Sequence, residues 1–95
     1  MLLDYISTYI TYMQQIKKEN LKILAKRIKA LRERNSESLN KFCFLRGNVT
    51  SATWSRVENA LVDVKFTTLV QMCGMLNIKL EELFKDINFN YSSDE

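Results

Sequence analysis

Ninety-five residues make one domain with room for an appended arm. With 46% apolar residues, no proline and only Gly47 and Gly74, the chain can bury a small core and carries little that breaks a helix, which predicts an all-α protein. A net charge of +3, no histidine and two cysteines leave no four-ligand zinc site, and the short apolar runs leave no membrane span.

In chain order, Leu2, Tyr5, Ile6, Tyr9, Ile10, Met13 and Ile16 recur at three- and four-residue steps, the stripe of an amphipathic helix with Asp4 as a candidate cap. Asn20 either begins a second helix or sits inside one long one. From Leu21 the stripe continues through Leu24, Ile28 and Leu31, with lysines and arginines opposite. Asn35-Ser36 is expected to end that helix. Ser36 would cap the next, from Glu37 to about Phe44, with Leu39, Phe42 and Cys43 turned inward. Gly47-Asn48 supplies turn chemistry that tolerates positive φ. A short helix with Trp54 and Val57 inward follows, then a loop over 59–65. Phe66, Leu69, Val70, Cys73 and Leu76 mark a fourth helix, mildly interrupted by Gly74. Leu80, Leu83, Phe84 and Ile87 mark a fifth, and residues 88–95 are expected to be a flexible acidic tail. Cys43 and Cys73 read as reduced, buried small hydrophobes rather than a disulfide. With no signal-peptide pattern at the N-terminus, a cytoplasmic protein is expected.

Charge is unevenly placed. Residues 17–35 carry eight basic side chains (Lys17, Lys18, Lys22, Lys26, Arg27, Lys29, Arg32 and Arg34) against Glu19 and Glu33, a net +6. Residues 67–95 net −3. Such asymmetry suits a polyanion on one face, although a solvated helix face is the plain alternative.

The segment Thr50-Ser51-Ala52-Thr53-Trp54-Ser55-Arg56-Val57-Glu58-Asn59 is the most telling stretch. Thr50 or Ser51 can cap it. Its outward positions hold small hydroxyls and one arginine, a slim surface that fits the DNA major groove and can reach base edges and phosphates.

Several further motifs occur in order: Arg27-Ile28-x-x-Leu31-Arg32, Ser36-x-x-Leu39, Val49-Thr50-Ser51-x-x-x-Ser55-Arg56-Val57-Glu58-Asn59, Phe66-x-x-Leu69, and Leu76-Asn77-Ile78-x-Leu80-x-x-Leu83. Over residues 21–87 this set resembles the lambda-repressor and Cro-like (Xre-type) helix-turn-helix DNA-binding domains. The resemblance implies a five-helix domain, with residues 1–20 as an extra N-terminal amphipathic helix. It also implies a recognition helix over about 51–59 that reads bases through Ser51, Ala52, Thr53 and Arg56. Of these, Arg56 is the strongest candidate, because a guanidinium fork matches guanine O6 and N7. Phosphate contacts would come from Ser36, Lys41, Arg46, Thr50, Ser55, Asn59 and Lys65. Arg32 and Glu58 stand where the family has a structural ion pair.

Three departures accompany the resemblance. Leu39 lies sixteen residues before Ser55, so either the second helix is extended or Arg46-Gly47-Asn48 forms a loop. Ala60 replaces a usual glycine, leaving Asn59 to take the left-handed conformation or the turn to be strained. Val64 stands where proline is common.

Residues 1–20 either complete the core or, as favoured, form a homodimer contact through Leu2, Tyr5, Ile6, Tyr9, Ile10 and Met13. The expected function is a sequence-specific regulator of transcription that binds double-stranded DNA, a repressor acting as a homodimer. The alternative is a protein-interaction module, such as the antitoxin of a toxin–antitoxin pair, with a partner protein. No small-molecule ligand is evident. An enzyme is not expected, since no nucleophile has an evident base and no glycine loop cradles phosphate.

Overall fold

A computed structural model of the chain describes residues 2–91, and for Leu2 the backbone alone, so the expected contact of its side chain lies outside the described residues. Five helices follow in order: α1 (Leu2–Glu33), α2 (Leu39–Arg46), α3 (Ser51–Glu58), α4 (Phe66–Leu76) and α5 (Leu80–Leu83). Among the described residues there is no strand, and no helix is long and apolar enough to cross a membrane.

The basic segment and the apolar arm are one helix. α1 runs 32 residues through Asn20 without a break, because nothing between Leu2 and Glu33 costs the helix a backbone bond. Asp4 lies within the first turn and is not the cap. The body of the protein meets α1 from about its middle onward. Ile28 is fully buried there, flanked by Leu24 and Leu31, and Ile16 is the first buried side chain along the helix.

Around that face close Phe42, Cys43, Val49, Trp54, Val57, Leu69, Met72, Cys73, Met75 and Leu83. Phe42 and Trp54 meet edge to face, 4.9 Å between ring centres, a preferred aromatic geometry. Both cysteines are buried and free, as their helical positions predict. In α4 the inward stripe is Leu69, Met72, Cys73 and Met75, while Phe66 and Val70 face solvent. Gly74 sits inside α4 without interrupting it.

Boundaries shift where local caps compete. Ser36 does not open α2; it takes a left-handed conformation (φ 56°), and its N–H donates to the Glu33 carbonyl as α1 ends. The cap is Ser38, in an extended conformation, whose Oγ accepts from the Lys41 N–H at 3.2 Å. α2 therefore begins and ends two residues later than its apolar pattern suggests, and its eight residues absorb the long spacing before α3. The connection is a short turn, with Gly47 (φ 68°) and Asn48 (φ 63°) left-handed and Val49 tucked into the core.

After α3 the left-handed residue is Ala60 itself (φ 57°); Asn59 stays at φ −99°. α5 is a single turn. Arg27 ends it by donating from Nε to the Leu83 carbonyl (3.1 Å) and from Nη2 to the Glu82 carbonyl (2.9 Å), so Phe84 and Ile87 lie beyond the helix. The first residues of the expected tail are docked. Asn20 and Asn90 exchange two hydrogen bonds, Nδ2 to the Asn90 carbonyl (2.9 Å) and the Asn90 N–H to Oδ1 (2.7 Å), and Phe89 packs against the core. The acidic tip, residues 92–95, lies outside the described residues.

An alanine in the left-handed region is disfavoured by about 1–2 kcal/mol, part of which glycine returns through its freer unfolded chain. Ala60→Gly is expected to raise stability by about 0.5–1 kcal/mol, read as a higher urea midpoint at an unchanged slope.

Candidate nucleic-acid interface

α3 is built from its cap upward. Thr50, extended at φ −70° and ψ 156°, accepts the Thr53 N–H on its hydroxyl at 3.2 Å and donates the hydroxyl proton to Thr53 Oγ1 at 3.1 Å. One small side chain thus satisfies a helix-end donor and orders its neighbour. Helical spacing then sends Trp54 and Val57 inward, and both are buried. Ala52, Arg56 and Asn59 lie on the opposite side and are exposed, flanked by half-buried Ser51, Thr53 and Ser55.

The underside of α3 is held by charge. Glu58 receives the Arg32 guanidinium through Nη2 to Oε1 at 3.0 Å and through Nε to Oε2. The Trp54 indole N–H donates to the same Oε2. Both ionic side chains are less than a tenth exposed, and Arg32 reaches the Glu37 carbonyl as well. The Glu58 hydrogen bond raises the Arg32 pKa despite the burial that opposes it, so the guanidinium stays charged. The tryptophan's share is invisible in sequence; only the four-residue step from Trp54 to Glu58 along one helix hints at it.

The expected phosphate-contacting residues separate into groups. Lys41 and Lys65 are exposed, Lys41 in the first turn of α2 and Lys65 immediately before α4. Ser38, at the α2 N-terminus, holds the position expected of Ser36. Arg46 is committed within the molecule: its Nη1 meets Glu37 Oε1 at 2.8 Å, and the guanidinium stacks 4.2 Å above the Phe42 ring. Asn59 folds back, its Nδ2 donating to the Ser55 carbonyl at 2.8 Å and to Ser55 Oγ at 3.3 Å. Both groups therefore serve the turn before they could serve a ligand. By contrast, among the described residues the Arg56 guanidinium has no hydrogen-bond or ion-pair partner.

Two open grooves flank α3. Asn40, Phe44, Gly47, Asn48, Thr50 and Ser51 line one of about 440 Å³, which joins the outer face of α2 to the start of α3. Asn40 lies on this surface, although nothing in its sequence context marks it. A second groove, about 690 Å³, is lined by Lys17, Lys18 and Lys22 together with Ala60 and Leu61 at the end of α3. The basic block of α1 is thereby divided. Lys26 faces elsewhere, lining a surface with Lys85 and Asp86 beside α5.

Burial pushes the Cys43 thiol up, against a smaller opposing pull from the Arg32 guanidinium, and burial alone pushes up Cys73. Neither sulfur is therefore a ready nucleophile at neutral pH. Among the described residues no group of three or more His, Cys, Asp and Glu side chains could hold a metal ion. Comparison of the chain with protein-family models, characterised proteins and solved structures finds no match.

Removing one member of the buried pair strands the other charge. Glu58→Ala is expected to cost about 3–5 kcal/mol, seen as a lower urea midpoint, while Arg32→Met/Glu58→Met recovers a large part of that loss. The raised thiol pKa values favour the fold below the ordinary cysteine pKa, and this contribution fades as pH climbs through the folded values. At pH 8, iodoacetamide is expected to modify Cys43 and Cys73 slowly in the native protein and at free-cysteine rates in urea.

Proposed function

We propose that the chain is a sequence-specific double-stranded-DNA-binding regulator of the lambda-repressor/Cro-like kind, a cytoplasmic repressor that inserts α3 into the major groove. The observation that carries this reading is the division of α3 into two sides. One is fastened by Trp54, Val57 and the Arg32–Glu58 pair; the other presents Ala52, Arg56 and Asn59 to solvent. A helix fixed beneath and open above can be pressed against base edges without losing its orientation.

In this reading Arg56 reads a guanine through O6 and N7, and its freedom from internal partners leaves the whole fork available. Ala52 and the Thr53 methyl lie against a thymine methyl or its neighbour. The amide end of α2, capped by Ser38, takes one phosphate, as helix N-termini favour anions. Lys41 and Lys65 add phosphate contacts on either side. Lys17, Lys18 and Lys22 extend the basic surface past the end of α3, which gives the α1 block a defined place in the interface. The function is binding rather than catalysis.

Selection from a random duplex pool followed by gel shift tests the reading. Arg56→Ala is expected to weaken the selected site by about 1–3 kcal/mol and to relax one base position. Lys22→Ala is expected to weaken all duplexes alike and to lower the salt slope by about one. Absence of any duplex binding at 50 mM salt would overturn the proposal.

A further inference from the structure

Apart from Ile16 and Lys17 at its end, the N-terminal half of α1 holds none of the side chains assigned to that interface or buried in the core. Leu3, Tyr5, Ile6, Tyr9, Ile10 and Tyr12 are between 43 and 79% exposed. The molecule measures 55 Å along its longest axis and 26 and 21 Å across, as a helix standing out from a small body requires. Among the arm's described apolar side chains only Ile16 is buried, and Met13 is half-buried.

We propose that this half of α1 pairs with the same segment of a second copy, antiparallel, burying the two apolar stripes against one another. Three observations select that occupant. The first is size: covered aromatic side chains bury about 150–250 Å² each. At the exposures found here the six residues offer about 700–800 Å², close to what each partner contributes to a standard interface. The second is charge. Residues 5–16 contain no ionisable acid or base apart from tyrosine. The side opposite the stripe is Ser7, Thr8, Thr11, Gln14 and Gln15. A helix lying on a membrane surface needs lysines and arginines there. An uncharged stripe rich in tyrosine and isoleucine instead suits the dry centre of a protein interface, and a second copy matches it in length and polarity.

The third is direction. Ile6, Ile10 and Met13 stand eighteen residues, or five helical turns, before Leu24, Ile28 and Leu31, the residues that face the core. The exposed stripe therefore looks toward the side on which the body of the protein sits. A parallel partner laid along the stripe would run its own body into the first. An antiparallel partner carries its body past the free end of α1, and the two-fold axis falls near residues 9 and 10.

The pairing is independent of DNA, so it is measured without DNA, and its failure would leave the α3 interface untouched. Sedimentation equilibrium of the full chain between 1 and about 100 µM is expected to give a dimer, because an interface of this size supports at least micromolar association. Tyr9→Ser/Ile10→Glu is expected to be monomeric over that range, with the fluorescence of Trp54 unchanged because neither residue touches the core, and with a urea midpoint that, unlike the wild type's, does not vary with protein concentration. Orientation is read by oxidation of variants that add one exposed cysteine to the buried Cys43 and Cys73. Ile10→Cys, beside the axis, is expected to form a covalent dimer. Leu3→Cys, held about 20 Å from its mate at a rise of about 1.5 Å per residue, is expected not to. A wild-type monomer at the highest concentration, or self-association that survives Tyr9→Ser/Ile10→Glu, would overturn the pairing. Ready cross-linking through Leu3→Cys would overturn its direction.

Discussion

The outward face of α3 depends on a carboxylate beneath it. Glu58 receives both Arg32 and Trp54, and so fastens the last turn of α3 to the last turn of α1 through charge and to its own preceding turn through the indole N–H. A buried ion pair adds little net stability compared with apolar packing, but it tolerates only one geometry. A helix of eight residues has too few backbone bonds to hold itself. The pair therefore matters for direction more than for energy: it sets the angle at which Ala52 and Arg56 leave the surface.

The same economy recurs around the body. The short elements are bounded by capping side chains or by residues in the left-handed region. Arg27 closes α5, Ser38 opens α2, Thr50 opens α3, and Ser36, Gly47, Ala60 and Asn77 turn the chain between helices. A body with so small a core relies on such caps because its apolar burial has little to spare. Arg46 shows the consequence for function. Its guanidinium is taken up by Glu37 and the Phe42 ring, so a residue that looks like a phosphate ligand belongs to the framework instead.

α1 joins two surfaces of different character. Its second half supplies the core face and Arg32, its middle places Lys17, Lys18 and Lys22 beside the end of α3, and its first half projects an uncharged apolar stripe. Because the helix is continuous, a partner held by the first half would be rigidly connected to the body packed on the second. Pairing would then fix where two copies of α3 can lie relative to one another, with no hinge between.

The helical class, the order of the helices, the inward positions of Trp54 and Val57 and the burial of both cysteines were legible in the residues alone, since each rests on a period or composition that local chemistry enforces. The outward placement of Ala52 and Arg56 followed from the same period. Where caps compete, sequence could not choose: Ser36 and Ser38 are equivalent as letters, and only the way α1 ends puts Ser36 left-handed and frees Ser38 to cap. Ala60 rather than Asn59 takes the strained position because the tertiary path of the loop outweighs a preference of about 1 kcal/mol. The role of Trp54 toward Glu58, the withdrawal of Arg46, the division of the α1 lysines between two grooves and the exposure of the N-terminal stripe were settled by packing. Each depends on what lies across a gap in space, and a linear pattern carries no record of that.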